Sequence, residues 1–348
     1  MSSDTPHTAV RPITDALARH EQGQGETPAL PRNFTIRKTW LASEAYFPRL
    51  LLQLIGIRRT DIPGLQRKHM LGLLLARLFK SGQYGAIASR ADALQIKTDG
   101  TRLRAFFTES GPDAAGECLK IVRKDSSLAE RTRSELAFRK RLSALGTITV
   151  PEIHAIREDD DFLYVTEQMI QGHRFSNRYD APLFISQGIE ELCKTYQAIG
   201  TRMEPLSAHY SPDLPDRMKA VLGETRLPEG FMDRVTLAFE RNPTILIGTC
   251  HKDLLPSNLC VADGRLYFLD WELVSDGPVL DDLLKLPLKN RRSHAAVSAV
   301  FKALRTHFPE AEKSLPLHFA ASIAERIVKN PKKSEERLNY WRFHKNGH

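Results

Sequence analysis

One stretch of this chain groups residue types suited to moving a phosphoryl group. Asp253 and Asn258 stand five residues apart, with Pro256 stiffening the loop between them, so both side chains can turn toward one point. Phosphoryl transfer asks for two groups there. One is a carboxylate that orients an attacking hydroxyl and accepts its proton; the other is an oxygen ligand for Mg²⁺. Asp270 lies twelve residues beyond Asn258, after the apolar run Leu266 to Leu269. The turn residues Ala262-Asp263-Gly264 predict a hairpin that returns Asp270 beside Asn258 as a second hard oxygen ligand. Either residue alone is better explained by the capping of a turn beside proline. The combination His-x-Asp-x-x-Pro-x-Asn, then a strand ending in Asp270-Trp271-Glu272, is not.

Such a loop needs a scaffold, and the pattern of the chain supplies one. From residue 90 onward, Leu94 to Thr98, Arg102 to Thr108 and Glu117 to Val122 read as strands, with Asp99-Gly100-Thr101 as the first turn. A helix follows over Leu128 to Leu145, with Glu135, Phe138 and Leu142 at helical spacing. Ile153 to Glu158 and Phe162 to Met169 read as two more strands across the acidic turn Asp159-Asp160-Asp161. Ile245 to Cys250 is a short apolar run leading into His251. Ile185 to Ile199, Pro228 to Arg241, Ala295 to Phe308 and Leu317 to Val328 carry helical periodicity. The expectation is an α+β protein: a small strand-rich lobe, then a larger helical one.

The segments ahead of residue 90 read differently. Residues 1–31 are polar and proline-containing and predict a flexible tail. Residues 32–89 read as a basic helical extension. Between 32 and 80 there are ten Lys or Arg against Glu44 and Asp61, an excess equal to the +8 of the whole chain. In Pro63 to Lys80, Leu71, Leu74, Leu75 and Leu78 fall at helical spacing. Such a helix packs on the domain behind it or meets an anionic membrane surface or a protein partner. Because the basic excess is confined to this extension, nucleic acid is not an expected partner. Four separated cysteines, Cys118, Cys193, Cys250 and Cys260, suit neither a disulfide framework nor a zinc site. With no signal-like N-terminus and no apolar run of about 20 residues, the sequence predicts a cytoplasmic protein, with peripheral contact at the inner membrane face as an option.

The run Cys250 to Asn258, followed by Gly264 to Glu272, resembles the choline/ethanolamine kinase and aminoglycoside phosphotransferase superfamily, nearest its bacterial choline-kinase-like members. The resemblance covers roughly residues 90–290 and is sharp over 250–272. It implies a two-lobed protein-kinase-like fold: an antiparallel nucleotide-binding lobe with one helix at 90–170 and a mainly helical lobe at 171–348 carrying the catalytic loop and acceptor site. It also implies ATP and Mg²⁺ as cofactors. The acceptor would be a hydroxyl on a small molecule: an amino alcohol such as choline or ethanolamine, an aminoglycoside, or a sugar.

Carried onto this sequence, the resemblance makes Asp253 the base and Asn258 and Asp270 the metal ligands. His251 braces the loop, as does Asp281 or Asp282, the doubled Asp leaving the register open. Lys120 would hold the ATP phosphates with Glu135 as its ion-pair partner. Gly100 is the sole glycine between the first two strands, where a richer glycine loop is the pattern. The backbone of Glu167, Gln168, Met169 and Ile170 would receive adenine. Glu272 would ligate Mg²⁺ or a cationic substrate, and Trp341 would wall a quaternary ammonium. Protein kinases differ at three points: Leu255 stands where they carry Lys, Asp270-Trp271-Glu272 replaces Asp-Phe-Gly, and no Ala-Pro-Glu follows. A non-catalytic kinase-fold binding protein is the remaining alternative. The joint presence of Lys120, Asp253, Asn258 and Asp270 speaks against it.

Overall fold

The computed structural model describes residues 7–22, 31–37, 40–43, 83–88, 90–97, 99–108, 116–177, 179–222, 227–289 and 294–344, with Phe47, Leu51, His69–Leu71, Leu73 and Leu74 as isolated positions. The chain divides into two compact units. One comprises Met1–Lys140, Val150–Arg174 and Cys260–Glu272; the other comprises Arg141–Thr149, Phe175–Leu259 and Leu273–His348.

The first unit is built on an antiparallel sheet. Its strands are β1 (Pro31–Arg37), β2 (Trp40–Ser43), β3 (Gln83–Ala88), β4 (Ala93–Ile96), β5 (Arg102–Phe107), β6 (Glu117–Arg123), β7 (Ile153–Glu158) and β8 (Phe162–Gln168), in the order β3-β1-β2-β4-β5-β6-β8-β7. Side chains alternate between the two faces of a strand, and here the faces have different tasks. Leu103, Ala105, Leu119, Ile121, Phe162 and Tyr164 point to one face. There they bury Ile13, Ala16 and Leu17 of helix α1 (His7–Gln22). On the other face Leu136 of helix α2 (Ser127–Leu145) packs on Leu163 and Val165.

Two expectations for the N-terminal region are corrected. Residues 7–22 are not a flexible tail but a helix. Its stripe Ile13, Ala16, Leu17, His20 is too short to stand out among polar neighbours, and it is held by tertiary contacts. His20 stacks on Tyr164 at 5.2 Å, and the Glu21 carboxylate accepts the Arg90 backbone N–H at 2.9 Å. Residues 32–89 are not a purely helical extension, because three strands of the sheet come from 31–37, 40–43 and 83–88. β1 pairs with β3 across some fifty residues, Phe34 opposite Gly85, and local periodicity cannot register such a pairing. The expected helix survives at His69–Leu71, Leu73 and Leu74, but its buried face differs. Met70 and Leu73 are buried with Phe47, Phe106 and Cys118, whereas Leu71 is 48% exposed. Leu75 and Leu78 lie outside the described residues.

The second unit is mainly helical: α3 (Ile189–Ile199), α4 (Leu214–Leu222), α5 (Phe231–Arg241), α6 (Val279–Lys285), α7 (His294–His307), α8 (Leu315–Lys329) and α9 (Ser334–His344). α8 is buried along most of its length and packs on α4 and α5. A three-stranded sheet, β10 (Thr201–Pro205), β11 (Thr244–Cys250) and β14 (Ser275–Pro278), has β11 at its centre. The first unit, apart from Leu259, also holds a small sheet in the order β13 (Arg265–Phe268), β12 (Leu259–Ala262), β9 (His173–Arg174). Among the described residues no helix is long and apolar enough to cross a membrane.

Candidate active site

The loop that follows β11 is held from several sides. Cys250 and His251 are fully buried, Leu254 and Leu259 are anchored in the core, and Pro256–Asn258 form one 3-10 turn. Lys252 adopts φ 62°, a left-handed conformation unusual for a residue with a side chain. Asp282, on α6, fixes that turn. Its Oδ2 accepts the His251 N–H at 2.7 Å and its Oδ1 the Lys252 N–H at 2.8 Å, and the buried Tyr196 hydroxyl donates to Oδ2 at 2.8 Å. The neighbouring carboxylate has another task. Asp281 accepts Tyr210 and Ser322 hydroxyls and lies 3.8 Å from Arg326, so it ties α6 to α8, and these partners outweigh its burial to hold its carboxyl below the usual range. The doubled Asp is thereby resolved: Asp282 braces the loop.

Within the loop, Asn258 Nδ2 donates to the Asp253 carbonyl at 2.8 Å and to Asp253 Oδ2 at 2.9 Å. This assigns the amide orientation and leaves Oδ1, a hard oxygen, as the atom available to a cation. The Asp253 N–H donates to His251 Nδ1 at 3.3 Å, so the ring's role is to support the loop. Lys285, one turn beyond Asp282 on α6, places its ammonium 3.4 Å from Asp253 Oδ1 and also donates to the Lys252 carbonyl. The Lys252 side chain lies across β14: a Cβ at Gly277 would clash with its Nζ.

In the first unit a charged network occupies the β5–β6 face that carries α2. Lys120 Nζ donates to Glu135 Oε2 at 2.8 Å, and both side chains are 1% exposed. Burial opposes the Lys120 charge, but Glu135 and Glu167 overcome it and raise its pKa. Arg139 extends the chain, 3.6 Å from Glu135 and 2.5 Å from Glu167, whose carboxyl it holds low against the opposing effect of burial. Asp270 follows β13, the strand hydrogen-bonded to β12, and β12 begins directly after Asn258. Asp270 has φ 61° and sits 3.7 Å from Arg104. Trp271 is core, packed on Phe138 at 5.4 Å.

The adenine expectation is partly altered. The Glu167 side chain serves the ion network, and the N–H groups of Gln168 and Met169 already donate to Glu152 and Gly116 carbonyls, each at 2.8 Å. Ile170 lies in an apolar patch with Cys260 and Ala262, flanked by Tyr267 and Leu269. Gly172 lets the chain pass close to β12, where a Cβ would clash with the Val261 carbonyl. Gly100, at φ 68°, makes the β4–β5 turn.

One substrate expectation fails, and Glu272 is found paired with the protein's own cations. Trp341 is 1% exposed and packs against Phe231 and Phe319, so it is core and walls no ligand. The Glu272 carboxylate is surrounded by Arg102 at 2.5 Å, Arg104 at 3.5 Å and Lys120 at 3.5 Å, and already has three cations for partners. Sequence reasoning missed Arg102, Arg104, Arg139, Tyr196 and Lys285. For the first two a signal existed: Arg-Leu-Arg in a strand puts both arginines on one face, opposite Leu103, and the observed register sets that face with Lys120.

A sheet carrying a buried lysine–glutamate pair and a braced Asp–Asn loop are features of a kinase-like phosphotransferase. The chain belongs to the phosphotransferase enzyme family, whose profile matches residues 93–312. It is 29% identical over 99 residues to Protein LicA of Haemophilus influenzae, a match spanning 25% of this chain and 29% of that protein. Among solved structures, a choline/ethanolamine kinase family protein from Mesorhizobium loti aligns with 17% identity and a TM-score of 0.41, covering 70% of this chain and 85% of that one. Choline kinase LicA from Streptococcus pneumoniae aligns with 16% identity and a TM-score of 0.36, covering 71% and 89%.

Proposed function

We propose that this protein transfers the γ-phosphoryl group of ATP to a hydroxyl of a small molecule. The observation that carries the reading is the Asp253–Asn258 loop, locked by Asp282 and flanked by the Lys285 ammonium. Asp253 orients the acceptor hydroxyl and takes its proton as the O–P bond forms. Lys120, held by Glu135, grips the nucleotide phosphates. The residues present fit a divalent cation: Asn258 Oδ1 and the Asp270 carboxylate are the oxygen donors Mg²⁺ prefers. When bound, Mg²⁺ supplies neutralisation of charge on the phosphate oxygens.

The acceptor class stays broad. A choline kinase is among the similar solved structures, but Trp341, expected to wall a quaternary ammonium, is core, and Glu272 is paired with Arg102, Arg104 and Lys120 in this structure. The test is Mg²⁺-ATP-dependent ADP release measured over choline, ethanolamine, aminoglycosides, sugars and nucleosides. Acceptor-dependent release with one class supports the reading. No release with any, together with no thermal shift on adding Mg²⁺-ATP, rejects it.

A further inference from the structure

Kinase-type nucleotide sites commonly cradle phosphates on free backbone N–H groups of a glycine-rich turn. In the β4–β5 turn two such groups, those of Gly100 and Thr101, are already engaged. The Gly100 N–H donates to the Lys97 carbonyl at 2.9 Å and the Thr101 N–H to Asp99 Oδ1 at 3.0 Å. Asp99 adds a negative charge to the same turn. With these two donors engaged, the charged side chains beside the turn are the stronger candidates for phosphate contact.

The β5–β6 ladder presents them. Arg104 lies directly opposite Lys120 in the register, and Arg102 is two residues along β5 on the same face. Leu103 and Ala105, between and beyond them, are fully buried on the other face. All three cations converge on one oxygen, Glu272 Oε1, and two of the three contacts, at 3.5 Å, exceed charge-assisted hydrogen-bond length. Arg104 reaches Asp270 only at 3.7 Å, and its buried Nε has no hydrogen-bond partner among the described residues. A guanidinium has five N–H donors in a fixed fork. The cluster therefore carries more donors than its two carboxylates engage, which suits an oxyanion with several oxygens. Burial opposes the Arg104 charge, yet Asp270 and Glu272 overcome it and keep the group cationic.

The geometry points to Arg102 and Arg104 as polyphosphate-binding residues that pass from Glu272 and Asp270 to the nucleotide's phosphate oxygens, releasing the Asp270 carboxylate for the divalent cation. This rests on the phosphotransferase reading above and adds to it that polyphosphate and metal assist one another's binding, since each relieves the other's competitor.

Calorimetric titration of the full chain tests it with four probes: tripolyphosphate without metal, Mg²⁺-ATP, adenosine, and Mn²⁺ alone. Charge-assisted hydrogen bonds are worth about 1.5–3 kcal/mol, so Arg102→Met and Arg104→Met should each weaken tripolyphosphate and Mg²⁺-ATP roughly ten- to a hundredfold. Adenosine affinity should be unchanged, Arg104→Lys should be intermediate, and Arg104→Met should bind Mn²⁺ alone more tightly than wild type. Unaltered polyphosphate affinity, or an equal loss for adenosine, overturns the inference. Tripolyphosphate binding that needs both arginines, in a protein that transfers no phosphate, keeps this site and rejects the enzyme reading. Wild-type kinetics in both arginine variants keeps that reading and rejects the site.

Discussion

Replacing Asp282 by Asn separates the two neighbouring carboxylates by function. The Asp282 carboxylate accepts three hydrogen bonds, from His251 N–H, Lys252 N–H and the Tyr196 hydroxyl, at 2.7–2.8 Å. Asparagine offers one acceptor oxygen and an NH₂ with two donor hydrogens, so at least one of these groups then faces the NH₂. Loss of one charge-assisted bond removes about 1.5–3 kcal/mol, and the stranded donor adds about 1–3 kcal/mol. A total of about 2.5–6 kcal/mol is a large part of a typical folding stability of about 5–15 kcal/mol. The loop feels it most, because the left-handed Lys252 conformation costs roughly 1–2 kcal/mol and depends on that carboxylate. If Asp253 shifts by about 1 Å, turnover falls roughly a hundredfold. Asp281→Asn should also destabilise the protein, through Tyr210, Ser322 and Arg326, yet leave kcat per folded molecule near wild type. Urea unfolding and steady-state phosphoryl transfer on both variants supply the two readouts. Lost turnover in Asp281→Asn with normal turnover in Asp282→Asn would refute the reasoning.

Lys120→Met should weaken Mg²⁺-ATP at least about tenfold, the equivalent of about 1.4 kcal/mol, without changing adenosine affinity in the same titration. It should spare the fold, because Arg139 remains 3.6 Å from Glu135. His318 is buried and donates from Nε2 to the Tyr210 oxygen, whose own O–H donates to Asp281. Burial, opposed in part by Asp281, lowers the His318 pKa from 6.5 to about 4. The unfolded chain therefore binds the extra proton first, and stability should fall as pH drops from 6.5 toward 4, by up to about 3 kcal/mol. Unfolding midpoints across that window should lose this slope in His318→Gln. Leu17→Ala, at a fully buried position of α1, should lower unfolding free energy by about 2–5 kcal/mol, measured by urea titration. A neutral result would detach α1 from the sheet.

The site was more legible than the scaffold that frames it. The β5, β6, α2 and β8 segments alternate or repeat over enough residues to be read locally, and Lys120 and Glu135 fell into register with them. Pairing of β1 with β3 joins distant segments, so no local pattern announced it. α1 has few apolar residues and owes its place to Tyr164 and Arg90, which lie far along the chain. The roles of Asp281 and Asp282 could not be told apart from spacing, because adjacent helical residues differ by about 100° in direction and only the packing partners decide. Trp341 misled for the opposite reason: its residue type suits a cationic ligand, but the core takes it first, and Glu272 is paired with the protein's own cations.

The most direct measurement is phosphate transfer from γ-labelled ATP to the acceptor identified by the ADP-release screen, with wild type and Asp253→Asn run in parallel alongside Mg²⁺-ATP titration. A positioned acid–base group contributes about 10²–10⁴-fold, so the variant is expected to lose turnover by that factor while binding Mg²⁺-ATP as wild type does. Turnover by Asp253→Asn at the wild-type rate would contradict the account.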